Sequence, residues 1–157
     1  MKRIGIFIFI IYLLGLYSCQ SQKDDYQKQT NIQMKIQEEK SMKIKVSNQM
    51  SEIIYLLKDN TASQTLYQQL PLDITVENYG NNEKIFYPLK PLDTTDTPLL
   101  QEGGKGTLAY FALWDDVVMY YGESHAYSEL YILGEAIEGS DYIQELSGQL
   151  HIERVGE

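Results

Sequence analysis

The chain has 157 residues, of which 43% are hydrophobic and thirteen are tyrosines, a size and composition typical of one globular domain. Its formal net charge of −9 makes nucleic acid an unfavourable partner, so we expect none. One cysteine, Cys19, and two histidines, His125 and His151, exclude an intrachain disulfide, a CxxC metal site and a Cys/His cluster. We therefore predict no metal site and no cofactor.

The N-terminus carries the clearest signal for localisation. Lys2 and Arg3 precede an apolar run from Ile4 to Leu16, which has the length of a signal peptide and is shorter than the ~20 residues of a transmembrane helix. The run ends in Leu16-Tyr17-Ser18-Cys19, which resembles the lipobox of bacterial lipoproteins, although Tyr17 is bulkier than usual. The resemblance implies a signal peptide over residues 1–18 and lipid attachment at Cys19. A plain signal anchor with an incidental cysteine is the alternative.

Residues 19–40 are rich in Gln, Lys and Glu, and we predict that they form a polar tether. A short helix there would have little to pack on. The run Gln22-Lys23-Asp24-Asp25 is similar to acidic tags that send some Gram-negative lipoproteins to the outer face of the outer membrane; a solvated linker explains it equally well. We expect an outer-membrane lipoprotein whose lipid anchor makes the membrane its partner.

The folded domain is predicted over residues 41–157, and its first elements are two strands and a helix. Apolar and charged residues alternate from Met42 to Val46, and Ser51–Leu57 is interpreted as the antiparallel partner. Thr61 and Gln64 have capping-box spacing and predict a helix. Its apolar face would contain Ala62, Leu66 and Leu70, and Pro71 would end it.

The middle of the domain is predicted to be β-structure around one hairpin. Leu72–Asn78 and Glu83–Leu89 are strand candidates, followed by a long loop from Lys90 to Lys105. Two strongly apolar runs then occupy Gly106–Tyr121. They meet at Asp115-Asp116, which predicts a hairpin with the two aspartates at its turn.

The last part of the chain continues the same pattern. Glu123–Tyr127 is predicted as a short loop and Glu129–Ile137 as a strand. Ser140 is interpreted as the cap of a short helix that buries Ile143 and Leu146, and Gln149–Val155 as a final strand. About eight strands and two short helices without a βαβ rhythm indicate a mainly antiparallel barrel or sandwich with helical plugs.

Several short motifs, in this order and spacing, resemble a bacterial cyclophilin-like family over roughly Met42 to Leu150. They are Leu57-Lys58-Asp59-Asn60, Leu70-Pro71-Leu72, Tyr79-Gly80, Glu83-Lys84, Gly106-Thr107-Leu108-Ala109-Tyr110 with Trp114, and Leu133 to Ile143. The resemblance implies a mainly β fold, an eight-stranded antiparallel cyclophilin-like barrel capped by two short helices. This agrees with the independent strand count.

The resemblance says less about activity. Prolyl isomerases of the cyclophilin type use an arginine beside a hydrophobic groove, whereas the corresponding stretch from Tyr79 to Phe86 has none. Members of the cyclophilin-like family generally lack the isomerase residues, so we predict no catalytic residues. We expect a binding module for a peptide or small molecule; a weak or rearranged isomerase and a structural subunit of an envelope complex are the alternatives. The candidate groove residues are Tyr79, Glu83, Lys84, Tyr110, Trp114 and Tyr121, although aromatic residues at period-2 spacing are more often core.

Other polar residues give weak signals. Ser124 beside His125 does not make a hydrolase triad, because sequence neighbours rarely have that geometry, and a surface loop is the preferred interpretation. His151 alternates with apolar residues in the last strand and is expected on its solvent face or edge. Asp115 and Asp116 could hold a hard cation with Asp93 or Asp96, but a turn explains them better.

Overall fold

The computed structural model describes residue 23, residues 26–34 and residues 41–156. The predicted signal peptide and Cys19 lie outside the described residues. Residues 26–34, within the predicted tether, form a helix with every side chain exposed. No helix in the described part of the chain is both long and apolar enough to cross a membrane.

Ser41–Glu157 is one compact unit. Its strands are β1 (Lys43–Ser47), β2 (Glu52–Leu57), β3 (Leu72–Tyr79), β4 (Glu83–Phe86), β5 (Glu102–Gly103), β6 (Thr107–Phe111), β7 (Asp116–Tyr120), β8 (Ser124–His125), β9 (Leu130–Glu138) and β10 (Gly148–Arg154). Eight of them close a barrel in the order β1-β10-β3-β4-β7-β6-β9-β2, with antiparallel neighbours throughout. This confirms the predicted mainly β fold and the eight-stranded barrel.

The barrel interior is filled by the apolar residues that alternate along the strands. They include Ile44, Val46, Tyr55, Phe86, Leu108, Met119, Leu133 and Ile152. Two short helices contribute to the same core: helix α1 (Thr61–Gln68) through Ala62 and Leu66, and a 3-10 helix (Ser140–Glu145) through Ile143. Ile143 and Leu146 are fully buried, as predicted.

Both predicted helix caps are displaced by one residue. The N-cap of α1 is Asn60, not Thr61, and its side chain accepts a hydrogen bond from the Ser63 backbone N–H at 2.9 Å. The 3-10 helix begins at Ser140, and Gly139 precedes it in the left-handed conformation at φ 74° without a side-chain cap. A β-carbon on Gly139 would lie 2.1 Å from the Glu52 carbonyl oxygen, so both the backbone angle and the space require glycine there.

The predicted loops at residues 90–105 and 123–127 are partly ordered against each other. Their residues form the two-residue strands β5 and β8, which pair Glu102 with His125 and Gly103 with Ser124. The predicted strand at Glu83–Leu89 is shorter and ends at Phe86, two residues before Pro88, which lacks a backbone donor.

A second apolar cluster covers the outer face of the wall formed by β4, β7, β6 and β9. It consists of Ile85, Leu100, Ala109, Val118, Tyr120, Leu130 and Ile132. The long loop is bound to this wall, since Leu100 donates its N–H to the Leu130 carbonyl and Ile132 donates to that of Pro98. This wall is therefore buried on both faces, except where the loop does not cover it.

Candidate functional site

The part of the wall that the loop leaves open forms a cleft of about 430 Å³. Its floor consists of outward-facing strand residues, and its rims come from the β3–β4 turn, the β6–β7 turn and the segment around β8. The fourteen lining residues are Tyr79, Gly80, Asn82, Glu83, Phe111, Trp114, Asp116, Val118, Tyr120, Glu123, Ser124, His125, Tyr127 and Leu130. The volume lies within the range of small-ligand sites.

Backbone and side-chain hydrogen bonds connect two of these rims. The Asn82 carbonyl accepts from the N–H groups of Tyr121 and Gly122 at 2.9 and 3.0 Å. The Asn82 side chain donates to the Glu123 carbonyl at 2.8 Å. A β-carbon on Gly122 would approach that of Asn82 to 2.9 Å, so the two segments are in close contact. The rim on this side of the cleft is therefore preformed.

Aromatic rings line the rim around the β6–β7 turn. Trp114 packs edge-to-face against Tyr79 on one side and Phe111 on the other, with ring centroids 5.4 and 5.2 Å apart. Trp114 is nonetheless 51% exposed, and Tyr79 and Tyr127 are also exposed. Exposed aromatic rings held in fixed positions offer contact area for a ligand at little entropic cost.

The floor contains a buried carboxylate, Asp116, which is only 2% exposed. Its Oδ1 atom is buried and accepts no hydrogen bond within the described residues. Burial raises the pKa of Asp116 to about 6, and the neighbouring carboxylates of Glu83 and Asp115 add to this shift. The backbone N–H of Asp116 itself opposes this shift. A buried carboxylate oxygen without a donor is unfavourable for folding, and such groups are commonly found at functional sites.

A second acidic residue, Glu83, is on the paired strand β4 opposite Tyr120, and its charge raises the pKa of Asp116 from the other end of β7. Burial raises the pKa of Glu83, and its interaction with the Tyr120 hydroxyl offsets part of that shift. Burial and the Glu83 carboxylate together raise the pKa of Tyr120 to about 12, against an opposing interaction with Ser124. Glu123 also lines the cleft, whereas none of the described lining residues is Lys or Arg. The described lining is therefore acidic, and Asp116 adds its negative charge as the pH rises through about 6.

Three of the six predicted groove residues line this cleft, namely Tyr79, Glu83 and Trp114. Lys84 alternates with Glu83 along β4 and points to the opposite side of the wall, where burial lowers its pKa. Tyr110 lies in the interior core, and its hydroxyl donates to Asp115 and accepts from the Leu92 N–H. Tyr121 packs against the core and donates to the Asn78 side chain. For Lys84 and Tyr110, strand alternation places the side chain away from the cleft, whereas Tyr121 follows the last residue of β7.

Asp116 was predicted to occupy a turn, and this prediction is wrong. Asp115 alone lies in the turn, with φ 59°, and Asp116 is the first residue of β7, paired with Phe111. A sequence signal for its position exists, because Asp116, Val118 and Tyr120 share one face of a period-2 strand. Extending the second apolar run back by one residue would have revealed an acidic residue on the outer face of the wall.

The remaining candidates do not form a separate site. The Ser124 hydroxyl donates to the His125 carbonyl rather than to an imidazole, and His125 is exposed. The His151 ring contacts Asp73 at 2.7 Å on the solvent side of β10, as expected for a strand-face residue. No group of three or more His, Cys, Asp or Glu within the described ranges is placed to hold a metal ion.

Comparisons with known proteins agree with this architecture. A model of the cyclophilin-like family matches residues 44–153, so the chain belongs to the cyclophilin-like family. Among solved structures, the solution structure of a hypothetical protein from Archaeoglobus fulgidus is similar, with a TM-score of 0.56 at 14% identity, over 73% of this chain and 95% of that one. At this identity the likeness shows the fold alone. No curated protein matches the sequence.

Proposed function

We propose that the protein is a lipid-anchored binding module of the cell envelope, and that the cleft on the outer wall of its barrel binds a peptide or small molecule. The observation that carries this proposal is the cleft itself, which combines exposed aromatic rings with the buried carboxylate of Asp116, whose Oδ1 accepts no hydrogen bond within the described residues. Surfaces of this kind are unfavourable for a monomer in water unless they bind something.

The arrangement favours binding over prolyl isomerisation. An isomerase of the cyclophilin type needs a donor fixed beside its groove to stabilise the twisted imide, and arginine supplies it with a planar, permanently charged fork. Arg154 is on β10, where its Nε donates to the Tyr67 carbonyl and its guanidinium lies 5.0 Å from the Tyr67 ring centroid. Lys84 points away from the cleft. The described cleft thus contains acidic groups where an isomerase needs a cation.

The anchor is proposed from the sequence. A short apolar run that ends in Leu16-Tyr17-Ser18-Cys19 has the form of a lipoprotein signal, and Cys19 is the only thiol of the chain. Several acyl chains at one cysteine anchor a protein stably, because each buried CH₂ contributes about 0.8 kcal/mol. We expect Cys19→Ser to abolish lipid labelling and to leave an uncleaved precursor or a soluble product. Lipid labelling that persists in the variant would contradict the anchor.

Ligand screening by thermal shift tests the binding proposal. A ligand that binds only the folded state raises the melting temperature in proportion to RT ln(1 + [L]/Kd). We expect hits from a library of small molecules and short peptides on the full chain in mild detergent. Those hits should weaken in Trp114→Ala and persist in Tyr142→Ala, which removes an equally exposed aromatic ring outside the cleft.

Two outcomes would oppose this function. Hits that are equally strong in Trp114→Ala would place binding elsewhere on the molecule. The second outcome comes from a coupled isomerisation assay. Acceleration near that of a true cyclophilin, abolished by Lys84→Ala or Arg154→Ala, would show that the protein is an isomerase and not a binding module. We expect no such acceleration.

A further inference from the structure

The floor of the cleft holds an acceptor that lacks a donor. Asp116 Oδ1 is buried and accepts no hydrogen bond within the described part of the chain. A compensating positive charge would have to come from a Lys, an Arg or a protonated His. Among the described lining residues, His125 is the only one of these types, and it is exposed. A buried carboxylate in this state gains most from a charged donor that enters from outside.

The charges around Asp116 specify the sign of that donor. Glu83 lines the same cleft on the neighbouring strand, opposite Tyr120, and Glu123 is on the rim. An anionic ligand would meet three carboxylates and no fixed cation among the described lining residues. A ligand with a positive charge would be attracted to the same three groups.

The aromatic rim suits a cation as well. Trp114 presents a half-exposed ring between Tyr79 and Phe111, and Tyr120 is on the floor between the rims. The faces of Trp and Tyr attract ammonium and guanidinium groups electrostatically, and the alkyl part of such a ligand packs on the same rings. Carboxylates and aromatic rings therefore favour the same class of ligand.

Building on the proposed function, we infer that the cleft binds an organic cation that carries N–H donors, an alkylammonium or guanidinium group of a basic peptide side chain or of a free amine, with Asp116 as the acceptor. The aromatic rim makes a bare metal ion a poorer occupant, since hard cations prefer sets of oxygen ligands. A quaternary ammonium would leave Asp116 Oδ1 without a hydrogen bond. The N–H donor is therefore the specific feature of the inference.

The fluorescence of Trp114 measures occupancy, because it is the only tryptophan of the chain and lies on the rim. The full chain in mild detergent is titrated with Nα-acetyl-lysine amide, and separately with the arginine analogue and with cadaverine as a free amine. Two matched lysine probes complete the series: the Nε-acetyl form removes the charge, and the Nε-trimethyl form keeps the charge but removes the donors. Titration extends to about 50 mM because small ligands bind weakly.

We expect at least one of the lysine probe, the arginine probe and cadaverine to bind saturably. The acetylated and trimethylated lysine probes should bind at least about tenfold more weakly, because each loses a charge-assisted hydrogen bond. Tighter binding of a side-chain probe than of cadaverine would identify a peptide as the source of the cation. Tighter binding of cadaverine would identify a free amine. Asp116→Asn should weaken binding about ten- to a hundredfold. Glu138 is an exposed strand residue outside the cleft and serves as the control. Glu138→Gln makes the same charge change as Glu83→Gln and should leave the affinity for the cation unchanged.

Each of the following results would overturn the inference: equal binding of the acetylated probe, equal or tighter binding of the trimethylated probe, or no saturable signal from any cation. Competition by Ca²⁺ at low concentration would do the same by indicating a metal site. Should Asp116→Asn not fold, Glu83→Gln gives the comparison, since loss of this second carboxylate should weaken cation binding. The proposed function and this inference can fail separately. If uncharged compounds raise the melting temperature only when Trp114 is present, the proposed function stands although this inference fails.

Discussion

At the scale of single residues, Asp116 is the side chain whose position in the fold is hardest to explain without a ligand. It begins a strand whose other residues are all buried and apolar or aromatic, and its Oδ1 has no partner within the described residues. A carboxylate held in this way costs stability, and proteins retain such groups where function requires them. The cost is measurable without knowing the ligand.

The measurement compares wild type with Asp116→Asn across pH. The pKa of this carboxyl is about 6 in the folded chain against an ordinary 3.8, so the folded state holds the proton more tightly than the unfolded state. Its contribution to stability is fully present below about pH 4, and is lost as the pH rises through about 6. We expect Asp116→Asn to be more stable than wild type by about 1 to 3 kcal/mol at pH 8, and close to it at pH 4. Urea unfolding at the two pH values checks this, and a variant that is less stable at pH 8 would contradict it.

Tyr55 presents a different orphaned group. It is fully buried in the barrel interior, and its hydroxyl has no partner within the described residues. Burial also raises the pKa of the phenol, so it stays neutral. We expect Tyr55→Phe to leave the free energy of unfolding unchanged or to raise it by up to about 1 kcal/mol, because it removes an unsatisfied donor without changing the ring. Denaturant unfolding measures it, and a loss above about 1 kcal/mol would reveal a partner that the hydroxyl does have.

The candidate site was predictable residue by residue only in part. Tyr79, Glu83 and Trp114 were identified from the sequence because they belong to the motifs that resemble the cyclophilin-like family. Asp116 was missed because two adjacent aspartates between apolar runs have the composition of a turn. Tyr110 was misplaced because one residue along a strand exchanges the core for the outer face.

At the scale of elements, Asn60 fixes helix α1 to the barrel. Its side chain accepts from the Ser63 N–H and donates to the Ile132 carbonyl, both at 2.9 Å, and it is largely buried. We expect Asn60→Ala to lower the free energy of unfolding by about 1 to 3 kcal/mol, since it removes a cap and leaves a buried carbonyl unpaired. Asn60→Ser keeps a capping oxygen but does not reach Ile132, and should lose less. Equal losses would mean that the cap contributes nothing.

The strands of the barrel were predicted to within a few residues, because alternating apolar and polar residues, or the continuous apolar runs of β6 and β7, are strong local signals. The pair β5–β8 was not, since a two-residue strand has no periodicity to detect. This pair matters for the site: it brings Ser124 and His125 to the cleft rim. Its pairing joins residues more than twenty positions apart, which local patterns do not encode.

At the scale of the whole molecule, every strand of the closed barrel belongs to the compact unit that begins at Ser41. Residues 26–34 are helical with all side chains exposed, and the compact unit begins at Ser41. We predict that a chain starting at Ser41 unfolds cooperatively, with a free energy of unfolding within about 0.5 kcal/mol of that of a chain starting at Gln20. Urea denaturation of the two chains compares them. A marked loss on deleting residues 20–40 would show that the segment packs on the barrel.

Belonging to the cyclophilin-like family fixes the barrel but leaves the activity open, because the same scaffold carries different sites. The number of strands and their antiparallel order could be anticipated from the strand count and the resemblance together. The position of the cleft could not, since it depends on which part of the outer wall the long loop leaves uncovered. That is decided by contacts such as Leu100 with Leu130, far apart in the chain.

The central claim is that ligands bind in the outer-wall cleft, and one fluorine label tests it directly. Trp114 is the only tryptophan, so 5-fluorotryptophan gives a single fluorine resonance from the cleft rim. We predict that every compound that raises the melting temperature of the full chain shifts this resonance at the same concentrations. Compounds that raise the melting temperature and leave the resonance unmoved would place the binding site elsewhere and contradict the claim.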